Sequence, residues 1–200
     1  MIKAIVFDLW KTLGVKQTSL SATFRKAVKL PKKEWEESKY EKAIQLKKWK
    51  TKKAMANHLL KAFNKPVTEK NIKSIVEGLN KSLRCSRIRV KMKKRLIKLK
   101  KNYKLGILSN TTSWSSESIK RWGINNLIDA QSYSWQTKSL KPSKKSFMSI
   151  CKKLKVKPKE ALFVDDSEKN IKAAKKLGII TLHYHSFPQF NKKINNILDN

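Results

Sequence analysis

Acid is scarce in this chain: 14 Asp and Glu stand against 48 Lys and Arg in 200 residues, a formal net charge of +34. Cysteine occurs only at Cys85 and Cys151, far apart and outside any CxxC or Cys/His spacing. That excludes a disulfide framework and a zinc site, and both thiols are expected to be packing residues. With five Gly and five Pro, no low-complexity linker or internal repeat interrupts the sequence. Long apolar runs are missing too. Stretches such as ALFV and LGIL fall far short of a bilayer span, so no membrane segment is expected. The first residues, MIKAIVFD, contain neither a long apolar leader nor a small-residue cleavage site, and a cytoplasmic location is the default expectation.

What is present supports a real core. Hydrophobic residues make up 40% of the chain, including six Trp, and 200 residues suffice for one domain or a domain with a modest insertion. The basic excess raises nucleic acid as a partner, because clustered cations displace counterions from phosphate backbones. Only six of the 48 basic residues are Arg, however, and the lysines run along nearly the whole chain. A Lys-rich bias that decorates every solvated face ranks above a dedicated nucleic-acid surface. A small anionic substrate is the expected partner, drawn in by the positive field, and the chain is expected to be a monomer or a homodimer.

Four apolar runs read as buried parallel strands, at residues 2–7, 104–108, 161–164 and 178–182, with a weaker fifth near 128–133. Helical patterns near 115–122, 143–154 and 168–176 alternate with them, which predicts an α/β fold built on a doubly wound, Rossmann-like parallel sheet. Residues 15–87 break the alternation. Apolar residues there recur at helical spacing, as in Trp35, Tyr40, Ile44 and Leu46. Pro31 and Pro66 punctuate the stretch, Thr68 reads as an N-cap, and Gly78 weakens the last helix near its end. Three or four helices are expected, inserted between segments 1–14 and 88–200 of the core. The stretch 87–101 places Ile88, Met92, Leu96 and Leu99 on one face of a further helix.

Ligands of such sheets collect beyond the carboxyl ends of the strands, and polar residues follow three of the runs directly. The first run ends FDLWKTL, with Asp8 closing it and Thr12 four residues on. The second ends GILSNTT, with Ser109 and Asn110. SLKPSKKSF follows, with Lys141 just before Pro142, and then ALFVDDSEKNIKAAKKLGI, with Asp165, Asp166 and Asn170. Only five Asp exist in the chain, so three at two strand ends are unexpected as decoration. A capping Asp, a Ser-Asn turn and an N-cap pair are the bland readings of these motifs taken singly.

Together, in this order, the four motifs resemble those of the haloacid dehalogenase (HAD) superfamily. The resemblance implies a hydrolase with Asp8 as nucleophile and Lys141 offsetting its charge and that of the transferring group. It further implies that Ser109 and Asn110 hold a phosphate or carboxylate, and that Thr12 and Asn170 support the loops. The paired carboxylates need a hard cation, and the resemblance implies Mg²⁺ held by Asp8, Asp166, the Trp10 carbonyl and, through water, Asp165. The insertion at 15–87 falls where the family carries a helical cap that closes over the site and selects the substrate. Trp35, Trp49 and His58 are expected to pack inside that cap.

One position departs from the pattern. Family phosphatases carry a second Asp two residues past the nucleophile as proton donor, whereas this chain has Trp10. An indole exchanges no proton at neutral pH. A Mg²⁺-dependent phosphatase acting on a small phosphorylated metabolite through an aspartyl-phosphate is the leading expectation. A metal-independent 2-haloacid dehalogenase, with Trp10 beside the substrate, is the alternative, because a halide leaves without a proton. A catalytically weak binding protein, for nucleic acid among other ligands, is the third.

Overall fold

The computed structural model describes residues 1–16 and 18–199. In chain order its strands are β1 (Ala4–Phe7), β2 (Gly14–Lys16), β3 (Ser86–Ile88), β4 (Lys104–Ser109), β5 (Ala130–Tyr133), β6 (Ala161–Asp165) and β7 (Ile180–His183). Its helices are α1 (Leu20–Ala27), α2 (Glu37–Gln45), α3 (Lys52–Ala62), α4 (Glu69–Arg84), α5 (Val90–Leu99), α6 (Ser113–Ser116), α7 (Ser118–Arg121), α8 (Ser134–Thr137), α9 (Lys144–Leu154), α10 (Glu168–Lys176) and α11 (Phe187–Asp199).

Five strands form one parallel sheet in the order β5-β4-β1-β6-β7. This is the α/β fold that the alternation predicts. β1 is central and wholly buried, which is why AIVF is apolar without alternation. One face packs on α5, α7 and α11 through Met92, Leu96, Ile119, Phe190 and Ile194. The other packs on α9 and α10 through Phe147, Ile150, Leu154 and Ala174. Asp8 follows β1, Ser109 ends β4 and Asp165 ends β6, so the parallel register brings three chemically active strand ends to one edge.

Among the described residues, four helices, α1–α4, lie between β2 and β3, with an apolar core of their own that includes Phe24, Tyr40, Ile44, Met55, Leu59 and Ile75. Trp35 stacks on Phe63 with centroids 5.5 Å apart, and Trp49 packs against His58 at 5.0 Å. The hydroxyl of Thr68 accepts from the Asn71 N–H at 3.2 Å and caps α4. β2 and β3 pair antiparallel, Gly14 opposite Ile88, and so join the two ends of the helical segment.

Several local expectations are corrected. Gly78 does not weaken the end of α4, which continues to Arg84; it lies where α1 crosses, and a Cβ there would sit 2.3 Å from Thr23 Cγ2. Ile88 belongs to β3 rather than to the following helix, which starts at Val90. The single helix expected near 115–122 is two short turns, α6 and α7, in a Ser-rich stretch whose hydroxyls bond to nearby backbone, as Ser116 does to the Ser113 carbonyl at 2.6 Å. Helix α11 was not anticipated. Both cysteines are free; Cys151 is buried and Cys85 half-buried.

Candidate active site

The site is built on three strand ends and one loop. The Asp8 N–H donates to the Val164 carbonyl at 2.9 Å, which fixes the chain as it leaves β1. Residues 9–14 then turn back on themselves: the Lys11 N–H donates to the Gly14 carbonyl at 2.8 Å, the Gly14 N–H donates to that of Leu9 at 2.9 Å, and Lys11 adopts a φ of 65°. Glycine is required at position 14, because a Cβ there would lie 2.0 Å from the Trp122 ring.

Lys141 is the centre of the arrangement. Its buried ammonium donates to Asp8 Oδ1 and to Asp165 Oδ2, both at 2.6 Å. Asp165 is held on every side: Oδ2 also accepts from Asn170 Nδ2 at 3.0 Å, and Oδ1 accepts from the Ser167 N–H at 2.7 Å. Asp166 is half-buried, and Lys11 is its loose partner at 3.9 Å. Burial pushes the Asp8 carboxyl up to about 7, with Asp165 and Asp166 adding to the rise and Lys141 opposing it. Burial works to lower the Lys141 ammonium, but Asp8 and Asp165 outweigh it and hold that group above its usual value. Burial, then repulsion from Asp165, also raises Asp166. Three carboxylates thus gather around the buried Lys141 ammonium, with Lys11 only loosely against Asp166, an excess of buried negative charge that favours a further cation or a shared proton.

Ser109 and Thr12 are both buried, and neither hydroxyl has a hydrogen-bond partner. An unpaired buried hydroxyl costs about 1–3 kcal/mol. That cost marks Ser109, at the end of β4, as a place for an oxygen of a ligand. The Asn110 side chain is bonded to the backbone of Lys141. Its Oδ1 accepts from the Lys141 N–H at 2.8 Å and its Nδ2 donates to the Lys141 carbonyl at 3.2 Å, so it holds Lys141 in place.

The Trp10 indole is fixed as well. Its Nε1 donates to Thr111 Oγ1 at 3.1 Å, and its ring meets Trp122 edge to face at 5.5 Å. The structure therefore brings Asp8, Trp10, Ser109, Asn110, Lys141, Asp165, Asp166 and Asn170 to one edge of the sheet.

Two charged residues here were not anticipated. The Lys16 ammonium lies 3.7 Å from the centre of the Trp10 ring, and burial together with Arg121 lowers it to about 8, while Asp8 opposes. Glu41 reaches in from α2, its Oε1 3.5 Å from Asn110 Nδ2. Burial raises the Glu41 carboxyl, Glu37 adds to this, and Asn110, Lys141 and Lys169 act against it. In a Lys-rich chain neither lysine number nor position singled out Lys16, and the facing of α2 depends on how the inserted helices pack.

Among the described residues, no three His, Cys, Asp or Glu side chains converge as a preformed metal cage. The donor chemistry nevertheless suits a hard divalent cation: oxygen ligands with surplus negative charge, of which Asp166 has only the loose contact with Lys11 at 3.9 Å and Asp8 has one oxygen held by Lys141.

The comparisons agree with the geometry. The signature of the haloacid dehalogenase-like hydrolases matches residues 5–183, and the chain belongs to that family. A D-ribitol-5-phosphate phosphatase from Bacteroides thetaiotaomicron is 31% identical over 111 residues, which cover 52% of this chain and 54% of the relative. The chain therefore spans about half the length of that relative. A HAD family enzyme from the same bacterium, solved with magnesium and inorganic phosphate, superposes with a TM-score of 0.71 at 23% identity, covering 94% of this chain and 96% of its own. An L-2-haloacid dehalogenase superposes with a TM-score of 0.61 at 18% identity, covering 92% and 84%. Among the described residues no helix is long and apolar enough to cross a membrane.

Proposed function

We propose that the protein is a Mg²⁺-dependent phosphatase that acts on a small phosphorylated metabolite, with Asp8 as nucleophile. The observation that carries this reading is the Lys141 ammonium shared between Asp8 and Asp165 at 2.6 Å each, beside the unpaired Ser109 hydroxyl. The resemblance to a sugar-alcohol phosphate phosphatase supports the substrate class.

With one Asp8 oxygen held by Lys141, the other is free to attack phosphorus. The Asp8–phosphorus bond forms as the ester oxygen–phosphorus bond breaks. Lys141 offsets the charge on Asp8 and on the phosphoryl oxygens, while the Ser109 hydroxyl donates to one of those oxygens. Asn110 holds Lys141 at the required place, and Asn170 and the Ser167 N–H hold Asp165. Water then attacks the aspartyl-phosphate, releases inorganic phosphate and regenerates Asp8. Mg²⁺ held by Asp8, Asp166, the Trp10 carbonyl and, through water, Asp165 would supply charge neutralisation of the transferring group. The helices α1–α4 serve as a cap over the strand ends and exclude water from the reacting centre.

One observation favours a second reading. The Trp10 indole occupies the place of the usual proton donor, as suits a 2-haloacid dehalogenase, in which Asp8 would attack carbon and halide would leave unprotonated. A titration with Mg²⁺ and chelator separates the two, using 4-nitrophenyl phosphate and 2-chloropropionate with the native chain and Asp8→Asn. Phosphate release that needs both Mg²⁺ and Asp8 is expected. Metal-independent chloride release, or equal turnover by Asp8→Asn, would overturn the phosphatase reading.

A further inference from the structure

A phosphatase that cleaves alkyl esters must place a proton on the departing oxygen, and position 10 cannot supply it. The Trp10 N–H is spent on Thr111 and its ring is packed on Trp122. The other titratable groups near the strand ends fail for separate reasons. Glu168 is exposed and paired with Lys172 at 2.7 Å, and His183 Nε2 is engaged with the Asp166 carbonyl at 3.0 Å. Lys16 lies on the Trp10 ring and has Arg121 as a neighbour.

Glu41 remains, and it has the right origin. In an in-line displacement the attacking and leaving oxygens stand on opposite sides of phosphorus. Asp8 approaches from the strand ends, so the leaving oxygen departs toward the helices that lie over them. Trp114, in the segment after β4, packs on the core of those helices, and Glu41 comes back from α2 to Asn110. Tyr40, Ala43 and Ile44 turn into the helical core, which leaves Glu41 on the flank of α2 that meets the sheet edge. Asn110 ties it to the machinery, because the same amide that donates to Glu41 clamps the backbone of Lys141.

We propose that Glu41 is the proton donor to the leaving oxygen, standing in from the inserted helices for the acid that the motif lacks. This rests on the phosphatase reading above. The Glu41 carboxyl gives its proton to the alkoxide oxygen as the oxygen–phosphorus bond breaks. As a carboxylate it then takes a proton from the water that attacks the aspartyl-phosphate, and it ends the cycle protonated. The groups that face it are Glu37 on its own helix, Asn110 after β4, Lys141 in the loop before α9, and Lys169 on α10. Burial and Glu37 favour the protonated form, while Asn110, Lys141 and Lys169 favour the carboxylate, and the balance lies on the protonated side of an ordinary glutamate.

The test compares the full chain, Glu41→Gln and Glu41→Asp, with Mg²⁺, on glycerol 3-phosphate and on 4-nitrophenyl phosphate. Nitrophenolate leaves without a proton, whereas an alkoxide does not. Loss of a positioned acid costs about 10²- to 10⁴-fold. That loss is expected for Glu41→Gln on the alkyl ester, together with loss of the basic limb of its kcat/KM profile. The first-turnover burst of nitrophenolate should persist within about threefold, and Glu41→Asp should recover part of the alkyl activity. If Glu41→Gln unfolds on a thermal melt, Glu41→Asp carries the comparison and should still slow the alkyl ester more than the aryl burst. Equal effects on both esters, or none on either, would overturn the assignment of Glu41 while leaving Asp8 in place. Absence of Mg²⁺-dependent turnover by the native chain on both esters would overturn the phosphatase reading, and with it this one.

Discussion

Replacing Lys141 by Met keeps most of the side-chain volume and removes the ammonium that holds Asp8 and Asp165. Both contacts are 2.6 Å long, and the Lys141 and Asp165 side chains are only 2% and 1% exposed, so water cannot replace what is lost. Removing one partner of a buried ion pair costs about 3–5 kcal/mol, because the charge left behind stays buried. We expect Lys141→Met to lose about that much, measured by urea unfolding followed through Trp fluorescence at pH 7 with chelator. In an Asp8→Asn background one of the stranded carboxylates is gone, and the cost should fall by roughly 1–3 kcal/mol, the usual coupling of residues in one network. The sign with pH follows from linkage. The Asp8 carboxyl is already raised from 3.8 to about 7, so over that window the folded chain holds a proton that the unfolded chain has released. Stability therefore falls as pH rises through it. Without Lys141 the rise is larger, and the variant should be nearest to the native chain in stability at the acid end. A loss below about 1 kcal/mol at pH 7, or the same loss with and without Asp8→Asn, would refute the claim that this ammonium holds a surplus of buried negative charge.

Three further outcomes are expected. Ser109→Ala removes a buried hydroxyl with no partner, so its melting temperature should stay level or rise, while kcat/KM for phosphate esters drops about tenfold, the worth of one hydrogen bond to a charged group; a lower melt with unchanged kinetics would contradict this. Trp10→Asp restores an acid where the family usually has one and should raise alkyl phosphate turnover, at a cost near 3–5 kcal/mol for the lost ring packing on Trp122. Gly14→Ala drives a methyl to 2.0 Å from the Trp122 ring and should destabilise by about 1–3 kcal/mol or more, read as a lower urea midpoint.

The sheet was legible because its strands are buried on both faces. β1, β4 and β6 are nearly unbroken apolar runs, and polar residues begin where each ends. The carboxylates were legible for a different reason: in a chain this poor in acid, Asp8, Asp165 and Asp166 at strand ends carry information that any single lysine does not. Lys141 could be picked out only by the proline that follows it. The two bonds of Asn110 to the Lys141 backbone could not be read from the sequence, since they join residues 31 apart and depend on the loop's path. Helix α11 was missed although Phe190 and Ile194 lie on its buried side, because its Asn and Gln residues dilute the apolar period. Glu41 was out of reach entirely, because periodicity shows that α2 has an apolar side without showing what its flank meets.

Charge also bears on the choice between the two hydrolytic chemistries. A 2-haloacid brings a carboxylate to a site where three aspartates already share the buried Lys141 and a loose contact with Lys11. Two unit charges 4 Å apart interact by about 4 kcal/mol at an effective dielectric near 20, so each unbalanced carboxylate is a substantial barrier to that substrate. The surrounding field of a +34 chain draws anions toward the protein, but it acts on a phosphate ester and a haloacid alike. Only the local balance distinguishes them. A bound divalent cation turns the same aspartates from a barrier into a phosphate site, whereas dehalogenation by Asp attack gains nothing from them. Trp10 taken alone favours halide departure, yet the indole accounts for neither the Asp165–Asp166 pair nor a glutamate brought to Asn110 from α2. The pair follows if a cation and a phosphate share the site, and the glutamate follows if the departing group is an oxygen that needs a proton.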